Sequence, residues 1–221
     1  MENREVKNLL YEQVARIGKA ASSPKRLELI ELLSQCEKTV ETLARDAGLS
    51  VKLTSAHLKE LKAARLVDSR KDGKYAYYRL ADPAVAGFWV NLRALAEERL
   101  LDLQGALRTF VNEPEKLAPA DSKTLLIKAK KGDVIVIDVR PQEEYQAGHL
   151  PYARSLPLPE LKKRLSELPR NKEIIAYCRG PFCMMAKDAV ALLRRRGYRA
   201  TRLEAGVSEW RAAGLPAAAE R

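Results

Sequence analysis

Apolar positions along the chain change their spacing several times. Over residues 2–20, Val6, Leu9, Leu10, Val14 and Ile17 recur at helical intervals. Ser22-Ser23-Pro24 closes that helix and opens a second over residues 25–33, with Pro24 suited to a first turn and Leu27, Ile30 and Leu33 or their neighbours turned inward. A short helix follows over residues 40–47, stopped by Gly48, and another over residues 51–63, opened by Ser50 as its N-cap. Beyond Ala63 the pattern becomes that of strands. Residues 66–70 and 74–80 flank Asp72-Gly73, a hairpin turn signal. Residues 84–111 return to helical spacing, with Val85, Phe88, Trp89, Leu92, Leu95, Leu100, Leu103, Leu107 and Phe110 and only two isolated glycines. One continuous helix of that length spans roughly 40 Å. Its own half-domain is too small to cover such a stripe, so pairing with a second copy of the chain is expected.

Asn112-Glu-Pro-Glu-Lys-Leu-Ala-Pro119 breaks the helical pattern and reads as a linker. Beyond it strand and helix signals alternate. Residues 134–139 (VIVIDV) and 173–177 are short apolar runs of the kind buried on both faces of a sheet. Residues 161–168 and 186–196 read as helices, the second stopped by Gly197, and residues 198–203 as a further strand. The spacing predicts a multidomain chain. Residues 1–111 form a mainly α unit with a helix-turn-helix and a β-hairpin wing, 112–118 a linker, and 119–217 an α/β domain with a parallel sheet.

Charge sharpens this picture less than its total suggests. The net charge is +11, but residues 1–113 carry a balance of +3 and residues 114–221 one of +8. Any contact of the first half with a polyanion must therefore rest on where its charges sit. Three cysteines, Cys36, Cys178 and Cys183, fit a reducing compartment better than a disulfide scaffold. The N-terminus is charged from residue 2 and has no apolar signal core, and no run approaches the roughly 20 apolar residues of a membrane span. A cytoplasmic protein with no membrane partner is expected.

In the helix over 51–63, turning Leu58 and Leu61 inward places Val51 and Thr54 on the buried side. The opposite face shows Lys52, Ala56, Lys59 and Ala63, with Ser55 at its edge. Small and hydroxyl side chains let such a helix seat deeply in a major groove, where lysines reach phosphates. The wing tip Arg70-Lys71-Asp72-Gly73-Lys74 can reach backbone or minor groove. Candidate DNA contacts are thus Lys52, Thr54, Ser55, His57, Lys59, Arg70, Lys71 and Lys74, with His57 equally suited to packing inside the helix pair. Residues 20–82 closely resemble the ArsR-type metalloregulator family, through LARDAGLSVKLTSAHLKELKAARLV and the wing KDGKYAYYRL. That resemblance implies a homodimeric winged-helix repressor on double-stranded operator DNA. Family members often sense metals through a Cys-x-Cys pair before the recognition helix, or through carboxylates and histidines on the terminal helices. Here residues 40–47 hold no cysteine, the terminal helices no histidine, and Cys36 stands alone as a small hydrophobe. No metal site and no cofactor are expected, and Ala56 stands where relatives commonly carry a polar base-reading residue.

The run Ile174-Ile-Ala-Tyr-Cys-Arg-Gly-Pro-Phe-Cys-Met-Met brings Cys178 to the carboxyl end of a buried strand, where α/β folds place ligands. A tight loop then runs into a helix start, whose amides and dipole favour an anion or thiolate, so Cys178 is expected to titrate below about 8.5. Residues 117–216 resemble a rhodanese domain, through Asp138-Val-Arg140, Glu144-Tyr-Gln-Ala-Gly-His149-Leu-Pro, the Cys178 loop and Ala205-Gly206-Val-Ser-Glu-Trp210. The resemblance implies that Cys178 accepts a sulfane sulfur as a persulfide, from thiosulfate or a low-molecular-weight persulfide. Arg179, Gly180, Pro181, Phe182, Cys183 and Met184 then form the cradle. Asp138, Arg140 and Glu144 brace its floor, Arg140 and Glu144 as an ion pair, while His149 and Trp210 are structural. Phosphatases and arsenate reductases resembling this fold carry an arginine six positions after the cysteine; here Met184 occupies it, which favours sulfur transfer. Cys183, in the same loop, reads either as a resolving thiol or as a small apolar cap.

The expected function is a transcriptional regulator whose second domain accepts sulfane sulfur and conveys that state to the winged helix. Two alternatives are a working sulfurtransferase uncoupled from the regulator, and a thiophilic-metal or arsenic sensor using Cys178 with Cys183.

Overall fold

The computed structural model describes residues 3–111, 116–117 and 122–219. The chain divides into two compact units, Met1–Trp89 and Val90–Arg221.

In the first unit α1 (Asn3–Ala21) and α2 (Pro24–Leu33) are followed by β1 (Lys38–Thr39), α3 (Val40–Asp46), α4 (Val51–Ala63), β2 (Val67–Asp72) and β3 (Tyr75–Leu80). Both helices of the helix-turn-helix carry side-chain N-caps, at Ser50 as expected and also at Thr39. Thr39 accepts from Thr42 N at the start of α3, Ser50 from Leu53 N at the start of α4, and Gly48 turns the chain between them at φ +62°. Leu29, Ile30, Leu43, Leu58 and Leu61 are fully buried and knit α2, α3 and α4 into one core, each burial favouring the fold by roughly 1.5–3 kcal/mol. The wing is an antiparallel sheet of order β1-β3-β2. Its hairpin closes with Asp72 opposite Tyr75, so the two-residue loop is Gly73-Lys74, one step later than the turn signal suggested. Only Gly73 there has positive φ, at +57°, and glycine takes that conformation without steric cost.

One sequence expectation needs correction here. Val51 is 47% exposed, because the first helical residue precedes the turn that packs on α2. In α2, Ile30 and Leu33 are buried with their neighbours Leu29 and Leu32, and Leu27 is half-buried. α1 keeps most of its apolar residues outside, with Leu10, Tyr11 and Val14 at 61, 67 and 71% exposure.

The single helix expected over residues 84–111 is broken. α5 runs Pro83–Arg99, α6 Leu101–Ala106, and a π-turn Leu107–Val111 follows. Leu100 between them is extended, at φ −101° and ψ 107°. No proline or glycine marks the break. The Gln104 side chain stabilises it, donating to the Glu97 and Glu98 carbonyls at the end of α5 at 2.9 and 3.1 Å. α5 is thus about 26 Å long at 1.5 Å per residue.

The second unit holds the rest of α5, then β4 (Lys116–Leu117), α7 (Ser122–Lys131), β5 (Val134–Asp138), α8 (Gln142–Ala147), β6 (Arg154–Ser155), α9 (Leu158–Leu161), β7 (Glu173–Tyr177), α10 (Met185–Arg195), β8 (Ala200–Leu203) and α11 (Val207–Ala212). The five strands pair in the order β4-β8-β7-β5-β6, every pair parallel. Alternate residues of β5 and β7 point to opposite faces. Ile135, Ile137, Ile174 and Ala176 pack with α10, and Val134, Val136, Ile175 and Tyr177 with Leu125 and Trp210. The apolar runs in the sequence are thus those of a sheet covered on both sides. The helix expected over 161–168 is instead the single turn α9 and a 3₁₀ turn at Leu165–Glu167. Of the linker expected over 112–118, only Lys116–Leu117 lie within the described residues, and they pair with β8.

Candidate functional site

β7 ends at Tyr177, and Cys178 follows at the carboxyl end of the sheet, 2% exposed. The chain then turns through a loop closed by Cys183 N donating to Gly180 O at 3.1 Å, and enters α10 at Met185. The Cys178 thiol lies 3.4 Å from Cys183 O and 4.0 Å from Gly180 O. The Cys183 thiol belongs to the same loop and influences the titration of Cys178. Backbone groups of Gly180 and Ala186 favour a thiolate at Cys178, and those of Arg179 and Met185 one at Cys183. The cradle is therefore built from loop and helix start together.

The titration expected of Cys178 falls on its neighbour. Burial pushes the Cys178 thiol well above its ordinary value, and Cys183 adds to the rise. Cys183 is lowered to about 6, chiefly by the hydrogen bond from Cys178, against burial and with help from the Arg179 and Met185 backbone. The two thiols titrate as a pair rather than as independent groups. Alkylation of resting protein by iodoacetamide should accordingly rise through a midpoint near pH 6 and mark Cys183. Peptide mapping that finds the adduct on Cys178 alone would contradict this assignment.

Under the loop lies a charged floor. Asp138 and Arg140 are both fully buried, with Arg140 Nε 2.9 and 3.1 Å from the Asp138 carboxylate and its Nη2 2.7 Å from Gly148 O. Burial acts to lower the Arg140 pKa, but hydrogen bonds and charge from Asp138 outweigh it, with Glu144 contributing through space. Glu144 takes the Arg179 guanidinium at 2.7–3.1 Å. The Arg140–Glu144 pair expected from the sequence is thus one part of a larger network, in which Asp138 is the hydrogen-bonded partner of Arg140 and Arg179 that of Glu144. Sequence reading missed Arg202, buried in β8, which donates to Pro181 O at 2.7 Å. It also missed the role of Gly206, whose backbone packs directly on the Arg179 carbonyl. His149 stacks on Tyr145 and bonds its carbonyl through Nδ1 at 2.9 Å, and Trp210 donates to Pro216 O; both are structural. Pro181 is buried, Phe182 half-buried and Met184 exposed.

On the helix-turn-helix, Lys52, Ser55, Ala56 and Lys59 are exposed on α4, Lys71 and Lys74 on the wing, and His57 is half-buried. Thr54 is withdrawn from the DNA-facing set. It is fully buried and its hydroxyl donates to Ser50 O at 3.0 Å, because it occupies the helix position facing the core. Arg70 is committed internally, bonding Glu37 at 2.6–3.0 Å and resting 4.5 Å from the Tyr77 ring centroid. A phosphate would have to compete with Glu37 for it.

A winged helix-turn-helix joined to a parallel α/β domain with a cysteine at a strand end defines the class of protein. Residues 23–69 match the bacterial regulatory protein arsR family and residues 121–213 the rhodanese-like domain. The HTH-type transcriptional regulator Rv0324 of Mycobacterium tuberculosis is 42% identical over 210 residues, covering 95% of this chain and 92% of that protein. A sulfurtransferase of Allochromatium vinosum is 34% identical over 98 residues, 43% of this chain and 90% of its own length. Among solved structures, the homodimeric winged helix-turn-helix domain of Mb0332 from Mycobacterium bovis is 38% identical, covering 45% of this chain and 91% of that one, with a TM-score of 0.42. The chain belongs to the ArsR family of transcriptional regulators, in a form that carries a C-terminal rhodanese-like domain. No helix among the described residues is long and apolar enough to cross a membrane.

Proposed function

We propose that this regulator binds operator DNA as a homodimer and senses sulfane sulfur through Cys178. The observation that carries the reading is a buried cysteine at a strand end, in a loop whose backbone favours thiolate, with its thiol 3.4 Å from the carbonyl of a second cysteine, Cys183. Transfer of the Cys178 proton to Cys183 frees the Cys178 thiolate. It attacks the sulfane sulfur of thiosulfate, the S–S bond breaks, and sulfite leaves with the electron pair, leaving Cys178 persulfide. A low-molecular-weight persulfide serves equally, releasing its thiol. Cys183, once its proton returns to water, can attack the inner sulfur of the protonated persulfide. Hydrosulfide then leaves and a Cys178–Cys183 disulfide remains. Dimerisation is supported by the exposed apolar face of α1 and by Leu95, Leu100 and Leu101 around the end of α5, at 54, 55 and 79% exposure. One recognition helix per chain then calls for half-site centres about one helical turn apart, or a multiple.

The test is a gel-shift titration on the DNA flanking its own gene, with and without thiosulfate or a persulfide donor. The parent protein should change its DNA affinity by about 5–150-fold, a coupling of ~1–3 kcal/mol, and Cys178→Ser should not respond. A parent that turns over thiosulfate with unaltered DNA affinity would instead be an uncoupled sulfurtransferase. Stoichiometric metal uptake on Cys178 and Cys183 would point to a metal sensor. If Cys183→Ser still responds like the parent, the signal travels from Cys178 persulfide alone.

A further inference from the structure

Arg93 is the one arginine of α5 that is buried, in line with Val85 and Trp89 at four-residue spacing. Arg93 is 5% exposed, whereas Leu95 two residues on is 54% exposed. Within the second unit its Nη1 donates to Glu209 Oε1 at 2.8 Å, its Nε lies 3.0 Å from Glu97 Oε1, and its guanidinium sits 5.7 Å from the Phe182 ring centroid. Phe182 belongs to the loop between Cys178 and Cys183. Gly180 of the same loop presses on the same ion pair, since a Cβ there would stand 3.1 Å from Glu209 Oε2 and 3.4 Å from Arg93 Nη1. The other Glu209 oxygen accepts from Gly206 N at 2.7 Å, and Gly206 in turn lies against Arg179 O. Arg93 thus reaches the loop through three neighbours, Glu209, Phe182 and Gly180.

The burial has a physical cost that this arrangement offsets. A guanidinium taken out of water must be paired, and Glu97 and Glu209 supply the negative charge against it. Burial first, and the charges of Glu204 and Glu209 next, hold the Glu97 carboxyl above its ordinary value, with Arg93 counteracting. A packed ion pair of this kind resists gradual deformation and shifts as a unit.

We propose that Arg93 is the positioning residue that ties the sulfur loop to α5, with Glu209 and Phe182 as its contacts on the loop side. The proposal rests on Cys178 being the sulfur acceptor. An added sulfur lengthens the Cys178 side chain by about 2 Å, the length of an S–S bond, inside a loop with its own sulfur already buried. Gly180 and Phe182 move to accommodate it, and the Arg93–Glu209 pair moves with them. α5 is one helix from Pro83 to Arg99, so what Arg93 feels passes along its own backbone toward the winged-helix unit.

The experiment is amide hydrogen exchange on the full-length protein, before and after loading with thiosulfate, in the parent, Arg93→Lys and Glu209→Gln. Arg93→Lys keeps the charge without the fork, and Glu209→Gln keeps an acceptor for Gly206 N without the ion pair. Intact mass spectrometry matches the proteins at equal sulfur loading, and only the difference between loaded and unloaded states is read. A purely structural role would alter both states alike and leave that difference unmoved. In the parent, loading should change exchange in peptides covering residues 178–186 and 90–99. In both variants the change at 90–99 should shrink at least about fivefold, the lower end of ordinary site coupling, while that at 178–186 persists. An undiminished response at 90–99 in either variant, or none in a loaded parent, overturns the proposal. A parent that takes no sulfur on Cys178 overturns the acceptor assignment as well, so the two failures are told apart.

Discussion

Gly206→Ala is expected to cut the rate of sulfur uptake at Cys178 by about 100-fold, the loss that a 1 Å misplacement at a reacting centre brings. A Cβ at position 206 would sit 2.2 Å from Arg179 O, 2.5 Å from Arg179 C and 2.8 Å from Cys178 O. All three are backbone atoms, so no side-chain rotation relieves the clash. Either the chain at 178–179 lifts or α11 retreats. Both movements disturb the loop whose backbone favours a thiolate at Cys178, and overpacking of this kind costs typically 1–3 kcal/mol of stability besides. Single-turnover uptake from thiosulfate, followed by intact mass, measures the first effect and a thermal melt the second. A variant that loads at the parental rate would mean that the loop does not depend on this contact. The corresponding change at Gly48 meets no atom within 4 Å and lies in the other unit, so Gly48→Ala serves as a control in which only the strain of positive φ is added.

The contrast between these two glycines also marks what a sequence discloses. Gly48 is legible because it acts locally, stopping α3 where the helical pattern ends. Gly206 acts on a residue 27 positions earlier in the chain, and nothing in its neighbourhood announces that. The same division runs through both units. The cap at Ser50, the hairpin of β2 and β3, and the doubly buried runs of β5 and β7 follow from neighbours in sequence and stand as read. Cys178 was legible because a strand, a tight turn and a helix start surround it in order. Partners were not. Arg179 meets Glu144 across 35 residues and Arg93 meets Glu209 across 116, distances over which periodicity carries no information. The break at Leu100 escaped notice for a related reason. It depends on a glutamine side chain capping carbonyls six and seven residues before it, and glutamine is otherwise a good helix former. Thr54 was legible on the buried side of its helix from the inward Leu58 and Leu61, which speaks against its place among the candidate DNA contacts. The carbonyl of Ser50, 3.0 Å from its hydroxyl, holds it there.

Asp138→Ala should destabilise the rhodanese-like domain by about 3–5 kcal/mol, the usual consequence of removing one partner from a buried ion pair. Asp138 and Arg140 are both at 0% exposure. The Asp138 carboxylate receives the Arg140 backbone N at 3.0 Å as well as its guanidinium. Alanine would leave that guanidinium inside the protein with Gly148 O as a hydrogen-bond partner and Glu144 as the charge nearby. Glu144 is already engaged by Arg179, so drawing it toward Arg140 would slacken the loop residue next to Cys178. Stability and sulfur uptake should therefore fall together. Urea titration of the full-length protein, followed by a signal from Trp210 in the core of this domain, measures the loss. Because the cost arises from a stranded charge rather than from lost packing, Asp138→Ala combined with Arg140→Met should be less destabilised than the sum of the two single changes. A coupling energy near zero in that double-mutant cycle would show that Asp138 and Arg140 act independently, and the floor of the sulfur loop would then need another explanation.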